Sequence, residues 1–364
     1  MHDVALTSDH FNEVLVSYCS SPGNVFLLCL FVTIDNPLRM SICVKNLKSD
    51  LKVTRYEIPI EAMSSTLPKN SFGLQLVQVS KPAKNKIEFE HYIIVSTGDG
   101  IHFFPLEDLF SFEDCKPNKW HLNASADTLT SFYAYNIKGS ELQVVYSTKF
   151  GSIVKFNFNI ESKIFKMVSD CKDAATDCIN SCKPCTPANI DKERIQVPEL
   201  VFSSFDNYIY SLEDKLQKFP VDLTSEKNIL VSAHGVVAKQ YSKKALRYYV
   251  ANIVNGGCCL FKRSANDTWD RIRVFEREIT SLEESSPLID CVVTCHDRAQ
   301  LRIASGSESG KVYIWCYDYR DDVVTESHVL EVAGDQDIVH NIQILGSLVY
   351  FMVNRDFVGR TMIP

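Results

Sequence analysis

The sequence predicts an all-β fold made of small sheets stacked side by side, and three observations carry that prediction. Apolar residues alternate with period two along nearly the whole of the 364 residues. The alternating stretches come in pairs that meet at a turn of small or polar residues, as in Ile303-Ala304-Ser305-Gly306-Ser307-Glu308-Ser309-Gly310-Lys311-Val312-Tyr313-Ile314-Trp315. The unit returns about every fifty residues. A repeat of this period made only of strands cannot bury both faces of each sheet alone, so the sheets must stack as the blades of a propeller.

Turn centres near Asn36, Gly100, Gly151, Asn207, Gly256, Gly310 and Asp356 give seven blades in one domain spanning 1–364. The first copy supplies strands at 13–19, 25–34, 39–47 and 52–60. Other copies centre on Ser96-Thr97-Gly98-Asp99-Gly100, Ser147-Thr148-Lys149-Phe150-Gly151 and Ser203-Ser204-Phe205-Asp206-Asn207. The last copy offers 337–345, 347–353 and 357–363, one strand short of a four-stranded blade. Residues 4–6 are left over at the N-terminus and are expected to supply that strand, closing the ring and removing its open edge.

The stretch Ser305 to Trp315 resembles the strand-turn-strand core of a WD40 repeat, and weaker echoes cover most of the chain. The resemblance is to a divergent WD40-like seven-bladed β-propeller. No copy ends its strand in Trp-Asp, and the Gly-His that opens a repeat is absent, His234-Gly235 being the reverse order. The hydrogen-bond network of the family therefore cannot be transferred residue by residue. Trp315-Cys316-Tyr317-Asp318-Tyr319-Arg320 departs by two residues from the Trp-Asp-x-Arg box of ubiquitin-ligase receptors.

Apolar residues at 45% and charged residues at 23% provide core material for one large all-β body. A formal net charge of −7 argues against a general nucleic-acid surface, which needs clustered Lys and Arg. The apolar run Val25-Phe26-Leu27-Leu28-Cys29-Leu30-Phe31-Val32 is too short to span a bilayer and reads as a buried strand, so no membrane insertion is expected. No secretion signal is evident, and the 13 cysteines, an odd count, are expected as reduced thiols of an intracellular protein.

Residues 169–196 break the rhythm as an irregular Cys-rich connection between blades 3 and 4. Cys171, Cys178, Cys182 and Cys185 fall within it, the last two as Cys-x-x-Cys. Four thiolates can hold zinc, the weaker alternative here, since a structural site generally uses two Cys-x-x-Cys knuckles and six residues separate Cys171 from Cys178. The topological alternative is that the segment contains the inner strand of blade 4, at about 176–181.

No phosphate loop, His-Glu-x-x-His or Gly-x-Ser-x-Gly occurs. No catalytic set and no cofactor are expected. His234, His296 and His340 lie on or beside expected inner strands, where a hydrogen-bonded structural role suits them. Alternation puts Cys291 and Cys295 on one face of a strand and His296 on the other. The acidic and aromatic run at 106–114 and the acidic stretch 276–284 read as surface connections.

The function these features point to is a non-catalytic scaffold that binds other protein subunits of a nuclear or cytoplasmic complex. The alternatives are a propeller hydrolase or esterase with its site at the channel mouth, and a reader of peptides or histone tails. Turns between second and third strands share an end of the blade with the connections between blades. That end is expected to gather Asp99, Lys149, Phe150, Phe205, Asp206 and Glu308 together with the Cys-rich segment. Phe150 and Phe205 at turn tips mark it, since aromatic residues are frequent anchors in interfaces.

Overall fold

A computed structural model describes residues 13–21, 24–33, 39–46, 54–58, 72–83, 86–97, 100–106, 120–123, 128–187, 198–221, 229–239, 245–254, 257–264, 268–275, 286–296, 299–354 and 357–363. They form seven sheets. The first holds β1 (Glu13–Ser21), β2 (Asn24–Thr33), β3 (Arg39–Asn46) and β4 (Thr54–Ile58), so the apolar run at 25–32 is indeed a strand. The second holds β5 (Phe72–Ala83), β6 (Lys86–Thr97), β7 (Gly100–Pro105) and β8 (Trp120–Asn123). The third is β9 (Leu129–Lys138), β10 (Glu141–Thr148), β11 (Ile153–Asn159) and β12 (Ile164–Cys171).

The fourth sheet is formed by β13 (Ile179–Pro184) with β15 (Leu200–Ser204), β16 (Tyr208–Leu212) and β17 (Leu216–Pro220). Between them, the two-residue β14 (Thr186–Pro187) leaves for the next sheet. That sheet holds β18 (Leu230–Lys239), β19 (Ala245–Ile253), β20 (Gly257–Arg263) and β21 (Trp269–Phe275), and β14 pairs in parallel with β18 at Val236 and Val237. The sixth is β22 (Leu288–Cys295), β23 (Gln300–Ser307), β24 (Lys311–Asp318) and β25 (Val323–Glu331). The seventh has three strands, β26 (Val339–Leu345), β27 (Leu348–Val353) and β28 (Phe357–Met362).

Of the expected turn centres, Gly151, Asn207 and Gly310 fall between the second and third strands of a sheet and Gly100 opens a third strand, while Asn36, Gly256 and Asp356 lie outside the described residues; the expected seven complete blades are not seen among the described residues. Six sheets have four or more strands and the last has three, because the chain runs out of described strand at Met362. The N-terminal segment expected to complete it lies outside the described residues, as do Asp99, the run at 107–114 and the stretch 276–284; Leu106 is buried.

The described part of the segment 169–196 contains an inner strand, as expected of it, though not at 176–181. The end of β12, all of β13 and β14 lie inside it, and the inner strand begins three residues later than expected. Ser, Cys, Lys and Pro dilute the alternation there, so backbone pairing rather than an apolar stripe fixes the strand.

The described strands divide between two compact units, one of Thr7–Ile179 with Ile195–Val197 and one of Met1–Leu6, Asn180–Arg194 and Pro198–Pro364. In the first, Val154, Phe156 and Phe158 alternate into a core with Tyr146, Val144 and Phe103, while Lys155 and Asn157 face outward. In the second, the middle strand β24 is buried on both faces, as expected of a strand with sheets on either side. Trp315 is buried there, stacked on Phe275 with ring centres 5.2 Å apart.

Candidate functional site

Antiparallel pairing brings the turn between second and third strands to the same end of the sheet as the chain entering the first strand. In four sheets that end is fastened in one way. The first residue of the turn donates its backbone N–H to the carbonyl just before the inner strand: Lys149 to Thr128 at 2.8 Å, Val254 to Ile229 at 2.9 Å, Glu308 to Pro287 at 3.1 Å and Asn354 to Ile338 at 2.7 Å. A hydroxyl at the end of the second strand holds the turn from inside. Thr148 accepts from the Ser152 N–H at 3.0 Å, Ser204 from that of Asp206 at 3.3 Å, and Ser307 from that of Lys311 at 3.2 Å. Ser and Thr before each turn are thus turn-forming residues.

Gly151 and Gly310 close two of these turns at φ of 81° and 67°. The following connection lies directly on them: Ala175 N–H donates to the Gly151 carbonyl at 2.9 Å, and Gly310 N–H donates to the Asp337 carbonyl at 2.7 Å. A side chain on either glycine would run into a backbone carbonyl, that of Ala175 or of Gly334. The turn end is therefore a set of rigid tips.

Lys149 and Phe150 stand on such a tip in the first unit, where Phe150 is 68% exposed. In the second unit Phe205 is 44% exposed and Glu308 is exposed. Asp206 is placed differently from its neighbours. Its carboxylate accepts the Tyr210 hydroxyl at 2.6 Å and the Tyr208 N–H at 3.2 Å, and its side chain is only 4% exposed.

The Cys-rich segment does not gather at this end as a whole. Cys171 closes β12 and Cys178 precedes β13, but Cys182 lies within β13 and Cys185 beyond it. At roughly 3.3 Å per residue a strand such as β13 carries the chain on the order of 20 Å, which takes Cys185 away from Cys178. The four cysteines of the alternative zinc site, Cys171, Cys178, Cys182 and Cys185, thus lie on β12, before β13, on β13 and beyond it. Burial pushes the Cys182 and Cys185 thiols up, against the thiolate that a metal requires. Among the described residues no three His, Cys, Asp or Glu side chains are grouped to hold a metal. Cys185 Sγ fills the space that a side chain at Gly235 would need.

Two polar clusters, one half-buried and one around a buried glutamate, went unseen in the sequence. Lys183 on β13 pairs with Asp290 on β22 and donates to the Cys291 carbonyl at 2.9 Å. Asp290 in turn accepts the Ile342 N–H at 2.9 Å. Burial opposes both charges, but the attraction between them prevails, holding the ammonium above its ordinary pKa and the carboxyl below. His234 stands nearby on β18, lowered to about 3 by burial and then by the Lys183 charge. Its Nδ1 accepts the Val293 N–H at 3.3 Å, which assigns the proton of the neutral ring to Nε2.

In the second cluster the buried Glu199 accepts the hydroxyls of Ser211 and Tyr249 and pairs with Arg247 Nε at 2.9 Å and Arg263 Nη1 at 3.6 Å. The ties to Tyr249, Arg247 and Arg263 cross from the fourth sheet to the fifth. Both clusters join residues far apart in the chain, so no local spacing announces them.

The remaining sequence candidates have structural partners. His340 Nε2 is hydrogen-bonded to the Asn354 carbonyl, and His296, which is exposed, donates its backbone N–H to Gln300 at 2.9 Å. Cys291 and Cys295 face one apolar cluster, as alternation requires. Asp318 accepts the N–H of Arg320 at 2.8 Å, capping its own turn. Among the described residues no helix is long and apolar enough to cross a membrane.

No protein-family model matches the sequence, and no curated protein matches it. Solved structures do match. Sqt1 of Saccharomyces cerevisiae superposes with a TM-score of 0.61 at 10% identity, over 100% of this chain and 86% of its own. A catalytically inactive virginiamycin B lyase from Staphylococcus aureus, solved with quinupristin, gives 0.57 at 11% identity, covering 98% and 97%. The WD40 repeats of RRP9 give 0.55 at 12% identity, covering 98% of each chain. Likeness at such identity is one of fold, and the fold it shows for this chain is a β-propeller.

Proposed function

We propose that this chain is a non-catalytic scaffold, a subunit of a nuclear or cytoplasmic multiprotein complex, that binds other proteins through the turn ends of its blades. Asp99, Lys149, Phe150, Phe205 and Glu308 are the contact residues of this reading, with Asp206 covered beneath the Tyr210 hydroxyl. The observation that carries it is the exposure of Phe150 and Phe205 on turns fixed by backbone hydrogen bonds. A rigid tip that shows an aromatic ring to water binds without a large ordering cost. A fold neighbour solved as BBS1N in complex with ARL6DN, at 10% identity and a TM-score of 0.56, gives a propeller with a protein partner as precedent. The proposal includes one seven-bladed ring, completed by residues 4–6.

The enzyme alternative draws on the lyase among the fold neighbours and on the cluster of Lys183, Asp290 and His234. The directions of shift count against it. A general acid or base works best near neutral pKa, and here the lysine moves up, the aspartate down and the histidine far below 7.

The test replaces Phe150 and Phe205 together with Ser and follows capture of native partners. If the rings are anchors, folding is nearly unchanged and binding weakens by about 1 to 3 kcal/mol. Unchanged recovery of every partner rejects the turn ends as the site. Removing residues 1–9 tests the ring separately, since an opened edge lowers thermal stability.

A further inference from the structure

The fourth blade carries a cation site that its own chain fills. Lys218 on β17 places Nζ 3.9 Å from the centre of the Tyr208 ring, 5.5 Å from that of Tyr210 and 3.9 Å from Asp206 Oδ2. The two rings stand 6.4 Å apart at 47°, forming an open corner with a carboxylate at its floor. Aromatic faces attract an ammonium through their quadrupole, and a carboxylate adds its charge.

The walls and the occupant differ in how firmly they are held. Tyr210 is fully buried and donates its hydroxyl to Asp206 at 2.6 Å, while the Tyr208 N–H fixes the other carboxylate oxygen at 3.2 Å. The turn behind them is anchored by Asn207, whose Oδ1 accepts the Leu230 N–H at 3.0 Å. Lys218 makes no such commitment. Its side chain is 39% exposed, its distance to Asp206 is long for an ion pair, and Asp206 has other hydrogen-bond donors. At 3.9 Å from Asp206 and with its own side chain exposed, Lys218 is the loosely held member of the group and the one an external cation can replace.

We infer that Tyr208, Tyr210 and Asp206 form a recognition site for a lysine side chain of a partner protein, free or methylated, with Lys218 as an internal stand-in that the incoming ammonium displaces. Phe205, which precedes Asp206 in the chain, and Ile229, which precedes the Leu230 held by Asn207, are 44% and 43% exposed and offer apolar contact for the residues flanking that lysine. It deepens the proposed scaffold role and rests on it for the identity of the ligand as a protein.

The experiment uses the full chain with Lys218→Ser and titrates N-acetyl-Nε-trimethyllysine methylamide and its unmethylated counterpart, with the norleucine amide as the uncharged control. Ring signals of Tyr208 and Tyr210 report binding by NMR. Emptying the corner removes the internal competitor, so the variant should bind a cationic probe on the order of tenfold more tightly than the wild type. Adding Tyr208→Ala should abolish binding while the melting temperature of the Lys218→Ser parent stays at the wild-type value. Absence of saturable binding to a folded Lys218→Ser protein, or equal binding of the norleucine amide, overturns the inference. Because the probes need only the corner, this result is independent of partner capture by Phe150 and Phe205.

Discussion

Lys183 and Asp290 are 107 residues apart in sequence and form an ion pair between the inner strands of the fourth and sixth sheets. With the parallel pairing of β14 on β18, it fastens the chain leaving the fourth blade across the fifth. The two side chains are 23% and 13% exposed, so water offsets part of the loss of about 3–5 kcal/mol that breaking a fully buried pair from one side costs. Asp290→Ala is expected to cost about 1–3 kcal/mol by urea unfolding, since the Ile342 N–H loses its acceptor as well. Lys183→Met should cost less, because Asp290 keeps the backbone N–H groups of Cys291 and Ile342, both at 2.9 Å. The lysine's raised pKa adds stability that is fully present below its unfolded value of 10.5 and is lost as pH rises through the folded value. Lys183→Met should flatten that alkaline loss.

His234 sets an acid limit of its own. Its folded pKa of about 3 lies below the ordinary 6.5, so between these values the unfolded chain binds a proton that the folded one refuses. Stability should therefore fall as pH drops from 6.5 toward 3, by at most about 1.4 kcal/mol per pH unit. His234→Asn, whose side-chain oxygen can still accept from Val293, should remove this component. Chemical denaturation across that pH range, with both proteins, checks the difference in slope.

Gly310→Ala and Gly151→Ala each combine a positive φ with a blocked side-chain position. The backbone conformation alone costs on the order of 1 kcal/mol, and the clash with a carbonyl should bring the loss to about 2 kcal/mol or more. Gly139, at φ of 54° with open space around it, is the control and should show only the conformational part. Thermal melts of the three variants separate the two contributions.

These glycines also show why much of the fold was legible. A turn that needs φ above zero and lets a connection lie on it leaves Gly at a fixed place in the repeat, and Ser or Thr before the turn supplies its internal acceptor. The strands on either side follow from alternation, so the last copy was placed within two residues of Val339–Leu345, Leu348–Val353 and Phe357–Met362. The inner strand at Ile179–Pro184 was displaced because Asn180, Ser181 and Lys183 carry no apolar period. Asp206 looked like a surface contact because a turn aspartate is usually solvated, and only Tyr210 two residues beyond the turn reveals its covered role. Glu199 with Arg247 and Lys183 with Asp290 had no local signature at all.

The central claim is that partners dock at the turn ends, and lysines of the third sheet can report on it directly. Lys149 sits on the turn between β10 and β11, Lys138 and Lys163 sit at the opposite end, and Lys166 lies on the outer strand β12; all four are exposed. Cross-linking mass spectrometry of the native complex distinguishes these surfaces in one experiment. Partner cross-links concentrated on Lys149 are the predicted result. Cross-links confined to Lys138, Lys163 or Lys166, with Lys149 reactive but unlinked, would contradict the account.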